Sequence, residues 1–348
     1  MNAMTEARTR VTGDRVDVSA APIMSVEGLS VGFDTPHGPV QAVDNVSWSI
    51  RKGETLGIIG ESGSGKSVGL ETIMGLITSP PARISGQVLL DGQDILSMPQ
   101  RQRRQLRGDR MAMIFQDALA ALNPSLTIGT QISEVYRIRR GASRQAALDK
   151  AVELMDQVKI PSARSRLKAY PHEFSGGMCQ RVMIAMALAM DPEILIADEP
   201  TTALDVTVQR QIMDLLQEVR RERGMSLILV THDLGVVAEC ADRAVVMYSG
   251  RMAETATMRD LFRTPSHPYT RALLQAMPRV DARLERLQAI PGTPPTLSHI
   301  PSGCAFRPRC TFAQPRCAEE KPELRMLAAE HSAACHFAEA IREETSHD

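Results

Sequence analysis

The sequence predicts an α/β protein built on a mostly parallel β-sheet. Three short apolar runs, "TLGIIG", "EILIAD" and "SLILV", have the length and composition of strands that are buried on both faces. Segments with apolar residues at helical spacing separate these runs. Strands that alternate with helices pair in parallel, because each helix carries the chain back across the sheet.

The remaining elements follow along the chain. Before the first buried run, "MSVEGLSVGF" and "VDNVSWSI" predict strands, and "SVGLETIMGL" after it predicts a helix. "SGQVLLDGQDI" predicts a strand with a turn, and "MAMIF" a short strand. Residues 131–190 are expected to be mostly helical, a further helix covers about 207–222, and "RAVVMYSGRM" is the last predicted strand.

The composition shifts after Met258, which divides the chain. "RTPSHPYTRALLQAMPRV" predicts one short helix framed by prolines, and the proline-rich "IPGTPPTLSHIPSG" an extended connection. We therefore expect a flexible N-terminus over residues 1–20, a main domain over 21–260 and a C-terminal extension over 261–348.

Charge and hydropathy exclude several classes of protein. The 40 basic residues are balanced by 41 acidic ones, so there is no positive excess to hold nucleic acid. The longest apolar run, Val182 to Met190, is far shorter than the about 20 residues that span a membrane. The N-terminus lacks the apolar core of a signal peptide. We expect a soluble, cytoplasmic chain that reaches a membrane only through a partner.

The stretch "GESGSGKS" matches the phosphate-loop pattern G-x-x-x-x-G-K-[ST] between a predicted strand and a predicted helix. Its glycines let the backbone curl so that N–H groups cradle phosphate oxygens. Lys66 would reach the β- and γ-phosphates, and the Ser67 hydroxyl would ligate Mg²⁺. A flexible Gly-Ser turn is the weaker alternative. The predicted phosphate-binding residues are Gly60, Glu61, Ser62, Gly63, Ser64, Gly65, Lys66 and Ser67.

Two further motifs fit nucleotide chemistry. "EILIADEP" carries Asp198 to the end of a strand, where it can hold Mg²⁺, and Glu199 can deprotonate the attacking water. A simple cap at the strand end is the alternative. In "EFSGGMCQR", residues Ser175, Gly176 and Gly177 begin a helix and leave N–H groups free for an anion. Read alone, Ser-Gly-Gly is a weak signal, and a plain N-cap turn would be the favoured interpretation.

Together these motifs resemble the nucleotide-binding subunits of ATP-binding cassette (ABC) transporters. Residues 60–67 match Walker A, "IFQD" the Q-loop, "FSGGM" the signature, "ADEP" Walker B, "TALD" the D-loop and "VTHD" the switch histidine. Phe174 and Met178 replace the usual Leu and Gln of the signature. The resemblance implies a P-loop NTPase cassette with a RecA-like core, an antiparallel β subdomain and a helical subdomain over about 117–180.

The resemblance also implies roles for individual residues. Glu199, His232 and Gln116 would be catalytic, and Mg²⁺ would lie at Ser67, Gln116 and Asp198. Phe33 in "LSVGF" would stack on adenine. Ser175, Gly176, Gly177 and Asp205 would contact ATP bound in a head-to-tail dimer.

Longer segments, among them "IFQDALAALNPSLTIGTQI" and "SHPYTRALL", resemble one branch, the ATPases of dipeptide and oligopeptide permeases. "VMIAMALA" resembles its D-type subunit, while Cys179 stands where the branch usually has Arg. This implies an energy-coupling ATPase at the cytoplasmic face of the membrane. Its partners would be an F-type sister or an identical copy, two permease subunits and a solute-binding protein. The alternative is a soluble ABC ATPase, which usually carries two cassettes or a long coiled coil. The solute cannot be read from this chain.

Four cysteines lie in the extension with the spacing Cys304-x₅-Cys310-x₆-Cys317-x₁₇-Cys335. Zinc sites usually pair ligands two to four residues apart, whereas iron–sulfur ligation tolerates wider spacing. The spacing favours a [4Fe–4S] cluster, which some members of the branch carry, with Zn²⁺ or reduced thiols as alternatives. Nearby arginines, Arg307, Arg309 and Arg316, would offset thiolate charge. Such a cofactor would stabilise a C-terminal segment of about 45 residues that has little apolar core of its own. We expect this segment to be built separately from the cassette.

Overall fold

The computed structural model describes residues 21–202, 204–277 and 290–346, so the predicted flexible N-terminus lies outside the described residues. The strands are β1 Met24–Thr35, β2 Gly38–Ile50, β3 Thr55–Ile59, β4 Ala82–Leu90, β5 Gln93–Asp94, β6 Met111–Ile114, β7 Ile194–Asp198, β8 Ser226–Thr231, β9 Arg243–Tyr248, β10 Arg251–Thr257, β11 Arg325–Ala328 and β12 His331–Ala333.

The α-helices are α1 Lys66–Ile73, α2 Gln100–Asp109, α3 Ala118–Ala121, α4 Ile128–Arg140, α5 Arg144–Gln157, α6 Ala163–Arg166, α7 Gly176–Ala187, α8 Val206–Arg223, α9 Leu234–Cys240, α10 Met258–Arg263, α11 Pro268–Gln275, α12 Arg316–Glu319 and α13 Ala338–Ser346. Among the described residues, no helix combines the length and the apolar character that crossing a bilayer requires.

The chain divides into two compact units. The first joins its two ends, up to Ser97 and from Thr231 onward, and the second runs from Met98 to Val230. Residues on both sides of position 260 thus share the first unit. The boundary predicted there follows the change in composition and stays a prediction.

In the first unit, an antiparallel sheet has the strand order β2-β1-β4-β5. β1 pairs with β2 from Met24 opposite Ile50 to Thr35 opposite Gly38, and β4 flanks its other edge. Inward-facing side chains of β1, such as Val26 and Val31, are buried. This sheet corresponds to the antiparallel β subdomain that the resemblance implies.

A second sheet of the first unit contains the order β11-β12-β10-β9-β3. β3 and β9 are parallel, whereas β9 and β10 form an antiparallel hairpin. The prediction of one strand across "RAVVMYSGRM" was wrong, because Ser249 (φ 46°) and Gly250 (φ 81°) reverse the chain. β11 and β12, "RMLA" and "HSA", escaped prediction because they are too short to show a period of two.

In the second unit, β6, β7 and β8 are parallel neighbours with every residue of β6 and β7 buried. The three apolar runs are therefore strands, as predicted. Between residues 128 and 187 the chain is mostly helical, and side chains cap the helix starts. Thr127, Ser143 and Ser175 accept hydrogen bonds from the first turns of α4, α5 and α7.

The end of the extension has its own apolar core. Ala333, Cys335, Ala338 and Ile341 are buried together, with Phe312, Leu327 and Phe337 packed against them. The expectation of a core-poor appendage was therefore wrong. The sequence gives no clear signal for this core because its residues are small or lie on short elements.

A buried carboxylate fastens the extension to β10. Glu254 is fully buried, and its carboxylate accepts hydrogen bonds from the backbone N–H groups of Ser266 and His267 at 2.7 and 3.0 Å. It also pairs with Nε2 of the buried His331 at 2.7 Å. Removing one partner of such a group leaves a buried polar atom without its hydrogen bond and costs about 1–3 kcal/mol. Extension and cassette are thus parts of one folded unit.

Candidate nucleotide-binding site

The predicted phosphate loop joins the buried strand β3 to α1. Gly63 and Gly65 have φ values of 77° and 93°, which other residues rarely adopt. A Cβ atom at Gly60 or Gly65 would lie 2.3 Å from the carbonyl oxygen of Met247 or Ala42. The loop therefore needs glycine both for its curl and for its close contact with neighbouring backbone.

Lys66 lies inside this loop. Its side chain is buried, and Nζ donates hydrogen bonds to the carbonyl oxygens of Gly60 at 2.7 Å and Glu61 at 2.9 Å, and to Ser64 Oγ at 3.2 Å. The ammonium group is thus held within the curl that the sequence assigns to phosphate. Ser67 follows in the first turn of α1.

The extension holds the second residue of the loop, Glu61. Arg309 Nη1 and Nη2 donate to the two carboxylate oxygens of Glu61 at 2.6 and 3.0 Å, in a bidentate pair. The backbone N–H of Glu61 donates to the hydroxyl of Tyr269 at 3.0 Å. The Glu61 carboxylate raises the pKa of Arg309, and burial raises the pKa of Tyr269. Arg309 is therefore charged and Tyr269 neutral at ordinary pH.

Two other predicted residues lie in the first unit. Phe33 is half-buried near the end of β1, opposite Val40 of β2 and Ala82 of β4. His232 is exposed just after β8, and the next residue, Asp233, caps α9 by accepting from the Gly235 N–H at 2.8 Å.

In the second unit, β7 ends at the predicted acidic pair. Asp198 is buried and Glu199 is half-buried. Glu199 has φ 45°, a left-handed conformation that costs a residue with a side chain about 1–3 kcal/mol. Its N–H donates to the carbonyl oxygen of Val230 at 2.9 Å, which holds it there. Strained residues of this kind cluster at functional sites.

The structure brings Gln116 to the predicted base. Gln116 Nε2 donates to Glu199 Oε2 at 3.1 Å, and the Thr202 hydroxyl donates to the same oxygen at 2.9 Å. The carboxylate of Glu199 is thus oriented by two neutral donors. Thr202 is an orienting group that the sequence analysis did not identify, although it opens the "TALD" motif.

The predicted signature begins α7. Ser175 Oγ accepts a hydrogen bond from the Met178 N–H at 3.4 Å, as an N-cap residue does. Ser175 and Gly176 are also exposed, so the start of the helix is open to solvent. A Cβ at Gly177 would lie 2.6 Å from Cγ1 of Val208 in α8. Gly177 is therefore needed for helix packing as well. Gly176 is exposed and has more room.

Asp205 caps α8. Its carboxylate accepts from the Val208 N–H at 2.9 Å, a typical N-cap bond. The side chain thus has a structural role beside the nucleotide role implied for it. Ala203 of the same motif lies outside the described residues.

The four extension cysteines line one small cavity. Cys304, Cys310, Cys317 and Cys335 share it with aromatic side chains, among them Phe306. All four thiols are free. Within the part of the chain that the structure describes, no three His, Cys, Asp or Glu side chains are grouped as a metal ion requires. The four cysteines thus line the same cavity, and the cluster predicted for them stays a prediction.

Burial controls the protonation of these thiols. Burial, together with the neighbouring sulfurs, raises the pKa of Cys310 to about 11 and the pKa of Cys335 to about 12. A bound cation would be needed to make them thiolates at neutral pH. Two of the three predicted counter-charges are engaged elsewhere, since Arg309 pairs with Glu61 and Arg316 with Glu320. Arg307 lines the cavity.

Sequence analysis missed Arg309 and Tyr269 as neighbours of the phosphate loop. Arg309 was considered only as a counter-charge for thiolates, and Tyr269 stood inside "SHPYTRALL" as a marker of resemblance. The sequence around Arg309 gives no local signal that its side chain is buried next to the phosphate loop. Its partner lies 248 residues away.

The first unit has a phosphate loop around a buried lysine, and the second has a strained acidic residue after β7; both are features expected of an ATP-binding cassette. Solved structures agree. A dimeric ATP-binding cassette, MJ0796, bound to ADP and Pi, has a TM-score of 0.61 and 29% identity, covering 68% of this chain and 99% of that one. The cassette cbiO1 from Clostridium perfringens has a TM-score of 0.59 and 27% identity, covering 70% and 91%.

Residues 43–202 match the ABC transporter family, and residues 253–317 match the C-terminal region of oligopeptide/dipeptide transporters. The dipeptide transport ATP-binding protein DppD of Escherichia coli is 47% identical over 90% of this chain and 96% of its own length. The oligopeptide transport ATP-binding protein OppD of the same organism is 50% identical over 87% and 90%. The chain belongs to this family of ABC transporter ATPases.

Proposed function

We propose that the chain is the D-type ATPase subunit of an importer for dipeptides or oligopeptides. The observation that carries the proposal is the match of residues 253–317 to the C-terminal region of such transporters, on the same chain as an intact phosphate loop. The identities of 47% to DppD and 50% to OppD support it.

The chemistry follows from the residues. Lys66 and the loop N–H groups would bind the β- and γ-phosphates, and Ser67, Asp198 and Gln116 would hold Mg²⁺. Glu199, oriented by Gln116 and Thr202, would take the proton of the attacking water. His232 would contact the γ-phosphate.

Phe33 would contact adenine, while Ser175, Gly176, Gly177 and Asp205 would serve ATP bound in a head-to-tail pair of cassettes. The second cassette would be an F-type sister chain. Two permease subunits would hold the pair at the cytoplasmic face of the membrane, and a solute-binding protein would deliver the peptide. ATP hydrolysis would then drive the permeases between inward- and outward-open states.

This proposal predicts that hydrolysis depends on the assembled transporter. The chain, its sister, both permeases and the solute-binding protein would be reconstituted in vesicles, and phosphate release measured with and without a dipeptide. We expect the dipeptide to raise the rate several-fold, and Lys66→Ala in this chain to remove most of the increase. Full-rate hydrolysis by the lone chain, with no retention on permease-containing vesicles, would favour the soluble ATPase instead.

We also propose that Cys304, Cys310, Cys317 and Cys335 hold a [4Fe–4S] cluster. Support comes from four free thiols around one cavity and from their spacing. The cluster would join segments of the extension, and its iron ions would favour the thiolate form of the four cysteines. Zn²⁺ on the same residues is the alternative.

Protein purified without oxygen is expected to be brown, with about four iron and four sulfide per chain, as a cubane on four cysteines requires. Cys317→Ser should lose the colour, whereas Cys240→Ser, outside the cavity, should keep it. Iron, sulfide and zinc analysis checks this. Colourless protein that contains about one zinc per chain would establish the zinc alternative.

A further inference from the structure

The C-terminal extension holds one residue of the phosphate loop, Glu61, by two side chains. Glu61 is fixed at its carboxylate by Arg309, at its N–H by Tyr269 and at its carbonyl oxygen by Lys66. Two of these three partners come from the C-terminal extension. Lys66 is the residue that reaches the phosphates in the proposed function. The extension therefore acts on the residue to which the phosphate-binding lysine is anchored.

The Arg309 contact is built into the protein interior. The side chain of Arg309 is 4% exposed, and that of Glu61 is 28% exposed. Arg309 Nε donates to the carbonyl oxygen of Pro291, and Nη1 also donates to the Tyr248 hydroxyl at 3.3 Å. With its bidentate bonds to Glu61, the guanidinium is held in one orientation. A bond network of this kind fixes geometry as well as charge.

Aromatic rings connect this pair to the cysteine cavity. Phe306, which lines that cavity, packs edge-on against Tyr248 with centroids 5.2 Å apart and lies 5.3 Å from Tyr269. The Arg309 guanidinium lies 5.9 Å from the centroids of both Tyr248 and Phe306. Arg309 is directly followed by Cys310. The fold of the cysteine stretch thus sets where the guanidinium lies.

We propose that Arg309 and Tyr269 are positioning residues of the ATP site, and that they hold Glu61 so that the phosphate loop keeps its binding shape. Arg309 has a second effect, which is electrostatic. It neutralises the Glu61 carboxylate, which otherwise would repel the phosphates of the nucleotide. This inference rests on nucleotide binding at the loop, as proposed above.

The test is the affinity of the full chain for Mg–ADP, measured by calorimetry, with KM and kcat for ATP measured on the assembled transporter. We expect Arg309→Gln to raise the Kd about tenfold or more, and Tyr269→Phe about threefold. KM should rise with them while kcat stays near the parental value, because neither residue contacts the attacking water. Arg316→Gln, which removes an exposed pair with Glu320 in the same stretch, is the matched control.

The double variant Glu61→Gln/Arg309→Gln separates the electrostatic effect of Arg309 from its positioning effect. With both charges removed, its Kd should return to within about threefold of the parent. A double variant as weak as Arg309→Gln would overturn the electrostatic part, and parental affinity in both Arg309→Gln and Tyr269→Phe would overturn the whole inference. If Arg309→Gln does not fold, Tyr269→Phe decides alone. A parent that does not bind Mg–ADP would overturn the proposed function instead.

Discussion

Replacing Glu199 with Gln is expected to abolish ATP turnover while nucleotide binding persists. The amide that replaces the carboxylate can keep hydrogen bonds to Gln116 and Thr202, so the geometry around β7 is retained. The general base is lost, and general-base catalysis contributes about 10²–10⁴-fold. Phosphate release by the assembled transporter and Mg–ATP binding by the full chain are the two measurements.

Glu218→Gln is the control for this substitution. Glu218 is also acidic and in the second unit, but it forms an exposed ion pair with Lys159. Its loss should leave hydrolysis and binding unchanged. If Glu199→Gln hydrolyses ATP near the parental rate, the base is another group.

Replacing Lys66 with Ala should remove most ATP binding. The change deletes the charge inside the loop and leaves the carbonyl oxygens of Gly60 and Glu61 turned toward the position that the lysine occupied. Lost charged hydrogen bonds to phosphate, together with these unpaired acceptors, should raise the Kd about a hundredfold or more.

Lys52→Ala provides the matched comparison. Lys52 is exposed in the turn between β2 and β3, and its loss should leave the Kd for Mg–ATP unchanged. The same titration measures both variants. An affinity for Mg–ATP that is unchanged in Lys66→Ala would mean that the loop does not bind phosphate through this residue.

The core of the fold could be predicted because its signals are local. "TLGIIG" and "GESGSGKS" each encode a strand or a loop within a few residues, and both are found where the sequence places them. The hairpin at Ser249 was missed because its turn consists of only two residues, Ser249 and Gly250, between β9 and β10. β11 and β12 were missed because they show no period of their own. They are strands through their pairing, β12 with β10 and β11 with β12.

The candidate site also contains some residues that the sequence identifies and others that it does not. Gln116 and Glu199 were named from motifs, and their hydrogen bond agrees with that assignment. Arg309 and Tyr269 could not be named, because a long-range contact leaves no mark in a single sequence. The four cysteines line one cavity, but no three of the described His, Cys, Asp or Glu side chains are grouped as a metal requires, so the cluster that their spacing favours stays a prediction.

The arrangement of the first unit has a consequence for synthesis. β3, just before the phosphate loop, pairs with β9, and Glu61 is bound by Arg309, which follows it by 248 residues. At about 5–20 residues per second, a ribosome needs on the order of 12–50 s to make that interval. Until β9 has been made, "TLGII" is an apolar strand without that partner, which is a hazard for aggregation. The nucleotide loop of this chain is thus translated long before Arg309, the residue that fixes its Glu61 in the folded protein.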